Sequence, residues 1–328
     1  MSVDQTRSPR ATETTADQDA TPPRAPAARA GGDVGAATEG NEASMAATRY
    51  DDLIPLGRAL PLRVYLRSLW ERRQFAISVP MGELRTKHMN TVLGNVWHVL
   101  NPVLQIAVYW LVFGLLLGTD RGIRNFITFL AVGVFSFGYM QRAIRACASS
   151  IVNNQGLIRS LSFPRAILPI SAVVRETIAF WPSLVLMMLL ALLTGEGVRW
   201  TWLLVVPWTL LMAMFSLGAG FALARATDGV QDVDNVLPFL FRLAFYLSGI
   251  LYAFERFVPD EYVHLLPLAA LNPFYAFISH MRHALMSTYR ADPVIDPWLW
   301  PSALLYPVVF LVVGFVFFRA AEQRYGRG

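Results

Sequence analysis

Lysine is almost missing from this chain. Of its 28 basic residues one is lysine, Lys87, and all the others are arginine. A Walker A loop needs a Gly-rich turn followed by Lys-Ser or Lys-Thr to hold the β- and γ-phosphates. Lys87 stands in Glu83-Leu84-Arg85-Thr86-Lys87-His88-Met89, which has no such context, so the chain is not a P-loop ATPase. The single cysteine, Cys147, excludes an intramolecular disulfide and any CxxC metal or redox motif, and reads as a small buried residue. There is no HExxH and no GxSxG, and His280 and His283 lack convergent metal ligands. No aspartate falls in any long apolar run, which argues against proton relays. Residues 1–50 have few large apolar side chains and are rich in Ala, Thr, Pro, Gly and charge, so a disordered tail without a signal peptide is expected there.

What the chain does have is apolar length. Hydrophobic residues make up 55% of it and gather in uncharged runs. The longest, Met89–Thr119, is charge-free apart from His98 and belongs in or at a bilayer. Asn101-Pro102 reads as an N-cap followed by a proline at the first helical position. The expectation is therefore an in-plane approach up to Leu100, then a short span over Pro102–Gly118. Further runs are Asn125–Gln141, Thr177–Gly195, Trp200–Ala224, Asn235–Phe254 (interrupted by Arg242, which can snorkel) and Pro297–Phe318. Together they predict an all-α integral membrane protein with six transmembrane helices. Pro267 and Asn272-Pro273 cut Tyr262–Ser279 into pieces too short to cross, so an external re-entrant helix pair is expected between spans five and six. Arginines flank both the first and the last span, and Arg142, Arg145, Arg159, Arg165 and Arg175 crowd one loop. The positive-inside rule then puts both termini in the cytoplasm of a multi-pass inner-membrane protein. The organisation expected is a tail over 1–50, an amphipathic interface helix and in-plane approach over 51–100, and a six-span domain over 101–328.

Leu62, Tyr65, Leu66, Leu69 and Trp70 recur at helical spacing, with Arg63, Arg67, Glu71 and Arg72 on other faces. Such a basic amphipathic helix lies in the membrane plane, or packs on another protein surface. Arg63, Arg67, Arg73, Arg85 and Lys87 make this entrance positive, suiting anionic headgroups or a substrate diphosphate, or serving topology alone. Around Asn153–Pro169, Leu157, Ile158, Leu161 and Phe163 are too apolar for a plain loop. A short helix here could seat in a partner's groove, or pack on its own protomer. Tyr109, Trp110, Phe113, Phe239, Phe245 and Tyr246 offer faces on which sugar rings stack, the alternative being lipid contact. Asp232 and Asp234 form a DxD in an acidic loop, which leaves a membrane glycosyltransferase as a rival reading; a secondary transporter is a weaker one.

The order of the amphipathic helix, LGNVWHVLNPVLQIAVYWLVFG, NQGLIRSLSFPRAILPI, a short acidic loop and LNPFYAFISHMRHAL resembles the type-2 ABC exporter permeases over about residues 55–325. More narrowly it is similar to the subgroup exporting O-antigen, capsule, teichoic acid and galactan. That resemblance implies a homodimer with two separate ATPase subunits docked below it, the partner carrying ATP and Mg, and no cofactor or nucleic acid on this chain. Asn154, Leu157, Ile158, Leu161 and Phe163 would form the ATPase-coupling helix. Helix 62–73 would be the interface helix. The first span, with Tyr109, Trp110 and Phe113, would line the path of a polyprenyl-diphosphate-linked polysaccharide. The arginine bias and the Ala/Thr/Pro tail point to a galactan of the actinobacterial type. A permease of the same fold for a drug or small lipid is the alternative. The family's Arg-Asp pair after the fourth span is replaced here by Arg225-Ala226-Thr227-Asp228, followed by Gln231-Asp232.

Overall fold

A computed structural model describes residues 61–72, 74, 97–116, 118, 123–160, 163–230, 232–253 and 260–322. The expected tail, the in-plane approach up to Val96, and Leu161, Arg73, Arg85 and Lys87 lie outside the described residues. Among those described the chain is all helical, with no strand.

The elements are α1 (Leu62–Glu71), α2 (Trp97–Tyr109, continued by a π-helix Trp110–Leu116), α3 (Phe126–Ala148) and α4 (Gln155–Ser160). They continue with α5 (Ile167–Leu193), a 3₁₀ turn Trp200–Leu204 leading into α6 (Val205–Gly229), and α7 (Val233–Leu247). A 3₁₀ segment (Asp260–Leu271), α8 (Pro273–Leu285) and α9 (Asp296–Ala321) complete the order. Among the described residues, four helices are long and apolar enough to cross a membrane: α3, α5, α6 with its 3₁₀ lead-in, and α9. The 3₁₀ segment and α8 meet at 93°, a bend that fits a helix-turn-helix. The other two expected spans are short. One is the apolar helix Val103–Leu116, and the other is α7, whose 15 residues reach only ~22 Å at 1.5 Å per residue.

The first of these corrects a reading of the sequence. Asn101 and Pro102 lie inside α2 and do not start it. Proline fixes φ near the helical value and removes only one hydrogen bond, so an apolar helix can run through it where the backbone must stay paired. The change of geometry comes later, at Trp110, where the turns widen into a π-helix. A Cβ on Gly114 would come within 3.1 Å of the Trp110 ring, so glycine leaves that ring its place.

Helix α3 is the hub, buried on every side along most of its length. Around it α5, α6 and α8 pack through Phe129, Phe137, Tyr139, Phe180, Phe215 and Phe277. Helices α6 and α9 cross so closely that a Cβ on Gly314 would overlap the carbonyl of Gly218, and one on Gly218 the backbone at Phe310. This is the small-residue contact by which membrane helices approach backbone to backbone.

Helix α7 is short because it ends at Ser248-Gly249, where Gly249 takes a positive φ of 57° that glycine adopts without strain. Its last carbonyls would then be orphaned in an apolar setting. Asn272 donates from Nδ2 to the Leu247 carbonyl at 3.1 Å, while its own Oδ1 caps α8 by accepting from the Phe274 amide at 3.0 Å. Arg282 donates to the Gly249 and Ile250 carbonyls, each at 3.0 Å. A helix can stop at such depth only if its carbonyls are satisfied in this way.

Candidate functional site

Three groups of residues are candidates for function, and the fold places them at different levels. The first is aromatic. Tyr109 of α2 stacks on Phe245 of α7 with centroids 5.9 Å apart, and Phe113 lies 6.2 Å from Tyr109. Phe137 of α3 meets Phe245 edge-on at 5.3 Å, and Phe274 of α8 meets Phe137 at 5.0 Å. Thus Tyr109, Phe113 and Phe245 are brought together and tied to the hub by Phe137 and Phe274. Trp110 and Phe239 are not in this cluster, and Tyr246 sits at its margin, meeting Phe245 edge-on at 5.7 Å; the three are 41%, 68% and 53% exposed. Phe239 shares its face of α7 with exposed Val236, Leu240, Leu243 and Leu247, an unbroken apolar stripe. The guanidinium of exposed Arg242 lies 5.9 Å from the Phe239 ring.

The second group is at the end of the bundle that carries α1 and α4. Tyr65, the one buried residue of α1, donates from its hydroxyl to the Glu322 carboxylate at 2.7 Å. The same carboxylate oxygen accepts from the Arg165 amide at 2.9 Å, and the Arg165 guanidinium donates to the Glu322 carbonyl. The Arg319 guanidinium lies 5.3 Å from the Tyr65 ring centroid. Burial, with the Glu322 charge beside it, pushes the Tyr65 phenol well above its ordinary value, so it stays a proton donor. Helix α1, the α4–α5 junction and the end of α9 are therefore knotted at one point. On α1, Leu62, Leu66 and Trp70 remain exposed while Tyr65 and Leu69 pack inward.

Helix α4 follows a short 3₁₀ turn, with Asn154 Nδ2 bonded to the Ser150 carbonyl at 2.8 Å. Ile158 is buried, and Leu157 and Phe163 are half-buried against Tyr65, Phe221 and Phe318. These apolar side chains pack on their own protomer. The surface that α4 presents outward is Asn153, Gly156, Arg159 and Ser160. Of the predicted basic entrance, Arg63 is exposed and Arg67 pairs with Glu71 at 2.9 Å, a solvent-exposed bridge of small energetic weight.

The third group is at the opposite end. Asn125, the N-cap of α3 with a left-handed φ of 55°, donates to Glu196 at 2.7 Å. Glu196 also accepts from the Ser287 amide (2.5 Å), the Ser287 hydroxyl (2.6 Å) and the Thr288 hydroxyl. Burial raises the pKa of this carboxyl, but those four donors outweigh it and hold it at about 2. Close by, the fully buried Arg282 donates to the Phe129 carbonyl at 3.3 Å, and its guanidinium lies 3.3 Å from the Phe129 ring centroid. Reading the sequence missed Arg282, although the rule that singled out Arg242, an ionisable group inside an apolar segment, applied to it equally. Asp232 and Asp234 are exposed at the start of α7, and no group of His, Cys, Asp or Glu able to hold a metal ion occurs among the described residues.

Comparison with known proteins bears on all three groups. The ABC-2 type transporter family matches residues 81–286. An O-antigen export system permease protein of Myxococcus xanthus is 30% identical over 226 residues, covering 69% of this chain and 82% of the relative. An O-antigen export system permease of Klebsiella pneumoniae is 22% identical across 74% of this chain and 90% of its own length. A polysialic acid transport protein of Escherichia coli is 24% identical across 74% and 92%, respectively. All-helical architecture, a buried hub and a family match over more than half the chain agree, and this protein belongs to the ABC-2 type transporter family.

Proposed function

We propose that the chain is the transmembrane subunit of an ABC exporter that carries a polyprenyl-diphosphate-linked polysaccharide from the cytoplasm to the outer face of the inner membrane. Two copies form the path, and two ATPase subunits dock beneath them, supplying ATP and Mg. The chain spans the membrane six times with both termini in the cytoplasm, α2 and α7 crossing beside a second copy, and the 3₁₀–α8 pair dipping in from outside.

The observation that carries this reading is the exposed aromatic face of α2 and α7. Trp110, Phe239 and Tyr246 project from one protomer beside the Tyr109–Phe113–Phe245 cluster, which is anchored to the hub. A long glycan sliding through needs contacts that are repeated, weak and indifferent to register. Aromatic faces supply these by stacking on sugar C–H surfaces. The chain itself does no chemistry on the polymer. Motion from the ATPase reaches the membrane through α4 and the Tyr65–Glu322–Arg165 knot; the polar face of α4 meets the partner while its apolar face holds it to the permease. Arg63, Arg67, Arg73, Arg85 and Lys87 attract the diphosphate to the cytoplasmic side. A galactan is the polymer we assign, on the arginine bias and the composition of the tail.

Depleting the protein tests the proposal. Lipid-linked polymer should accumulate in the cytoplasm and surface polymer should fall, and the purified chain should bring down an equimolar ATPase. Normal surface polymer after depletion would favour the alternative, a permease for a drug or small lipid.

A further inference from the structure

The third group borders a cavity that none of the roles above uses. Its volume is about 410 Å³, and it is lined by Arg124, Phe129, Thr288, Tyr289, Arg290 and Asp292 among others. That is within the range of small-ligand sites, about 300–1,000 Å³. Half-buried Tyr289 offers its ring to the cavity, backed by the fully buried Phe129, whose centroid lies 6.1 Å away. The buried Arg282 braces both rings from behind, its guanidinium 3.3 Å from the centroid of Phe129 and 5.9 Å from that of Tyr289. Arg124 and Arg290 are exposed at the rim, at the level of the Glu196 staple. Thr288 is held by its hydrogen bond to Glu196, and Asp292 by accepting from the Val294 amide at 2.8 Å. The walls are thus preorganised rather than loose.

Each part has one natural complement. An aromatic ring such as that of Tyr289 stacks on the C–H face of a pyranose or furanose ring. The Asp292 carboxylate and the Thr288 hydroxyl oxygen accept from ring hydroxyls, and the neighbouring guanidinium groups donate to ring oxygens. Two rim arginines add a preference for negative charge, and bind a phosphate or carboxylate in a bidentate manner. We propose that this cavity is a binding site on the outer face of the permease for a negatively charged sugar unit. The site rests on the sidedness given under the proposed function and adds to it a resting place for the charged unit of the emerging polymer, which for a galactan of neutral galactose units is its phosphate-linked end.

Cys147, the sole native cysteine, is fully buried, which makes single-cysteine labelling clean. The test uses the full permease–ATPase complex in right-side-out membrane vesicles, with Ala291→Cys at the cavity wall and a membrane-impermeant maleimide. Ala291→Cys should label and wild type should not. Galactose 1-phosphate or galacturonate at about four times its Kd should slow labelling about fivefold, the factor 1 + [L]/Kd. The more effective of the two identifies phosphate or carboxylate as the charge read. Adding Arg124→Gln and Arg290→Gln should abolish protection while labelling persists. Labelling from outside that neither charged sugar slows, or that neutral galactose or inorganic phosphate slows equally, overturns the site alone. Labelling only in inside-out vesicles overturns the sidedness, and the site with it.

Discussion

Helices α3 and α7 both begin from apolar runs of similar appearance, yet they meet opposite fates. In α3, 78% of the most apolar window is buried inside one protomer. On α7 only Leu237 and Phe241 are buried, and Val236, Phe239, Leu240, Leu243, Tyr246 and Leu247 face outward. Hydrophobicity alone does not separate them, since lipid solvates either surface. The difference is in polar bookkeeping: α3 closes its own backbone bonds over a long helix, whereas α7 stops early and depends on side chains from elsewhere, Asn272 and Arg282, to satisfy its end. One region is scaffold. The other is a short wall hung on that scaffold, with a face left for something else.

This contrast can be broken most severely at Arg282. Arg282→Met would orphan the carbonyls of Gly249 and Ile250, each costing about 1–3 kcal/mol when buried unsatisfied, and would remove the second bond to the Phe129 carbonyl. The expected result is loss of the folded protein, read as failed accumulation and loss of a single detergent-solubilised peak. Arg282→Lys should rescue only partly, because a single ammonium nitrogen cannot reach carbonyls that Arg282 serves from three separate nitrogens. Gly314→Leu comes next. Backbone contact with Gly218 leaves no room, so overpacking of about 3 kcal/mol is expected, with a lowered thermal midpoint in detergent.

Glu196→Gln should have a smaller effect that depends on pH. The carboxyl titrates at about 2 in the folded chain against its ordinary 4.5, so the stabilisation is complete above pH 4.5 and is lost as pH falls from 4.5 towards 2. It amounts to at most about 3 kcal/mol at neutral pH. Thermal scans across that window should show a steep acid limb in wild type and a flatter one in Glu196→Gln. A parallel shift of both curves would contradict the role given to Glu196. Tyr65→Phe should cost about 2 kcal/mol, since it removes the bond to Glu322 and the oxygen that accepts from the buried Ala166 amide. Its clearer effect should be on coupling, with ATPase activity of the complex retained and export reduced.

At the far end of the scale, Trp110→Ala, Phe239→Ala and Tyr246→Ala should each change the monomer's stability by less than about 0.5 kcal/mol, as exposed positions do. Export should nevertheless fall in each. A large loss of stability with normal export would erase the distinction between scaffold and wall.

How much of this was legible in the sequence follows the same division. The amphipathic stripe of α1 and the apolar runs of α3, α5, α6 and α9 could be read directly, because their periodicity and length are local properties. The corner at Asn272-Pro273 was legible for the same reason: proline at the first helical position and asparagine before it are short-range signals, and both hold in α8. The same pair at Asn101-Pro102 misled, since α2 runs straight through it. What separates the two is context, the need to keep backbone paired in one place and to turn it in the other. The early stop of α7 was hidden because the carbonyls at its end are satisfied by residues 25 and more positions later. Among the aromatics, chemistry was readable but direction was not: Tyr109 and Phe245 turn inward while Phe239 and Tyr246, on the same two-helix wall, turn outward.

The central claim is that the outward face of α2 and α7 is where a second copy and the polymer meet. A photo-crosslinking amino acid at Tyr246, activated in cells that are exporting polymer, tests it most directly, with exposed Leu304 of α9 as the comparison site. The account predicts chain–chain dimers and glycan adducts from Tyr246 and neither from Leu304. Glycan adducts from Leu304, with only lipid captured at Tyr246, would contradict it.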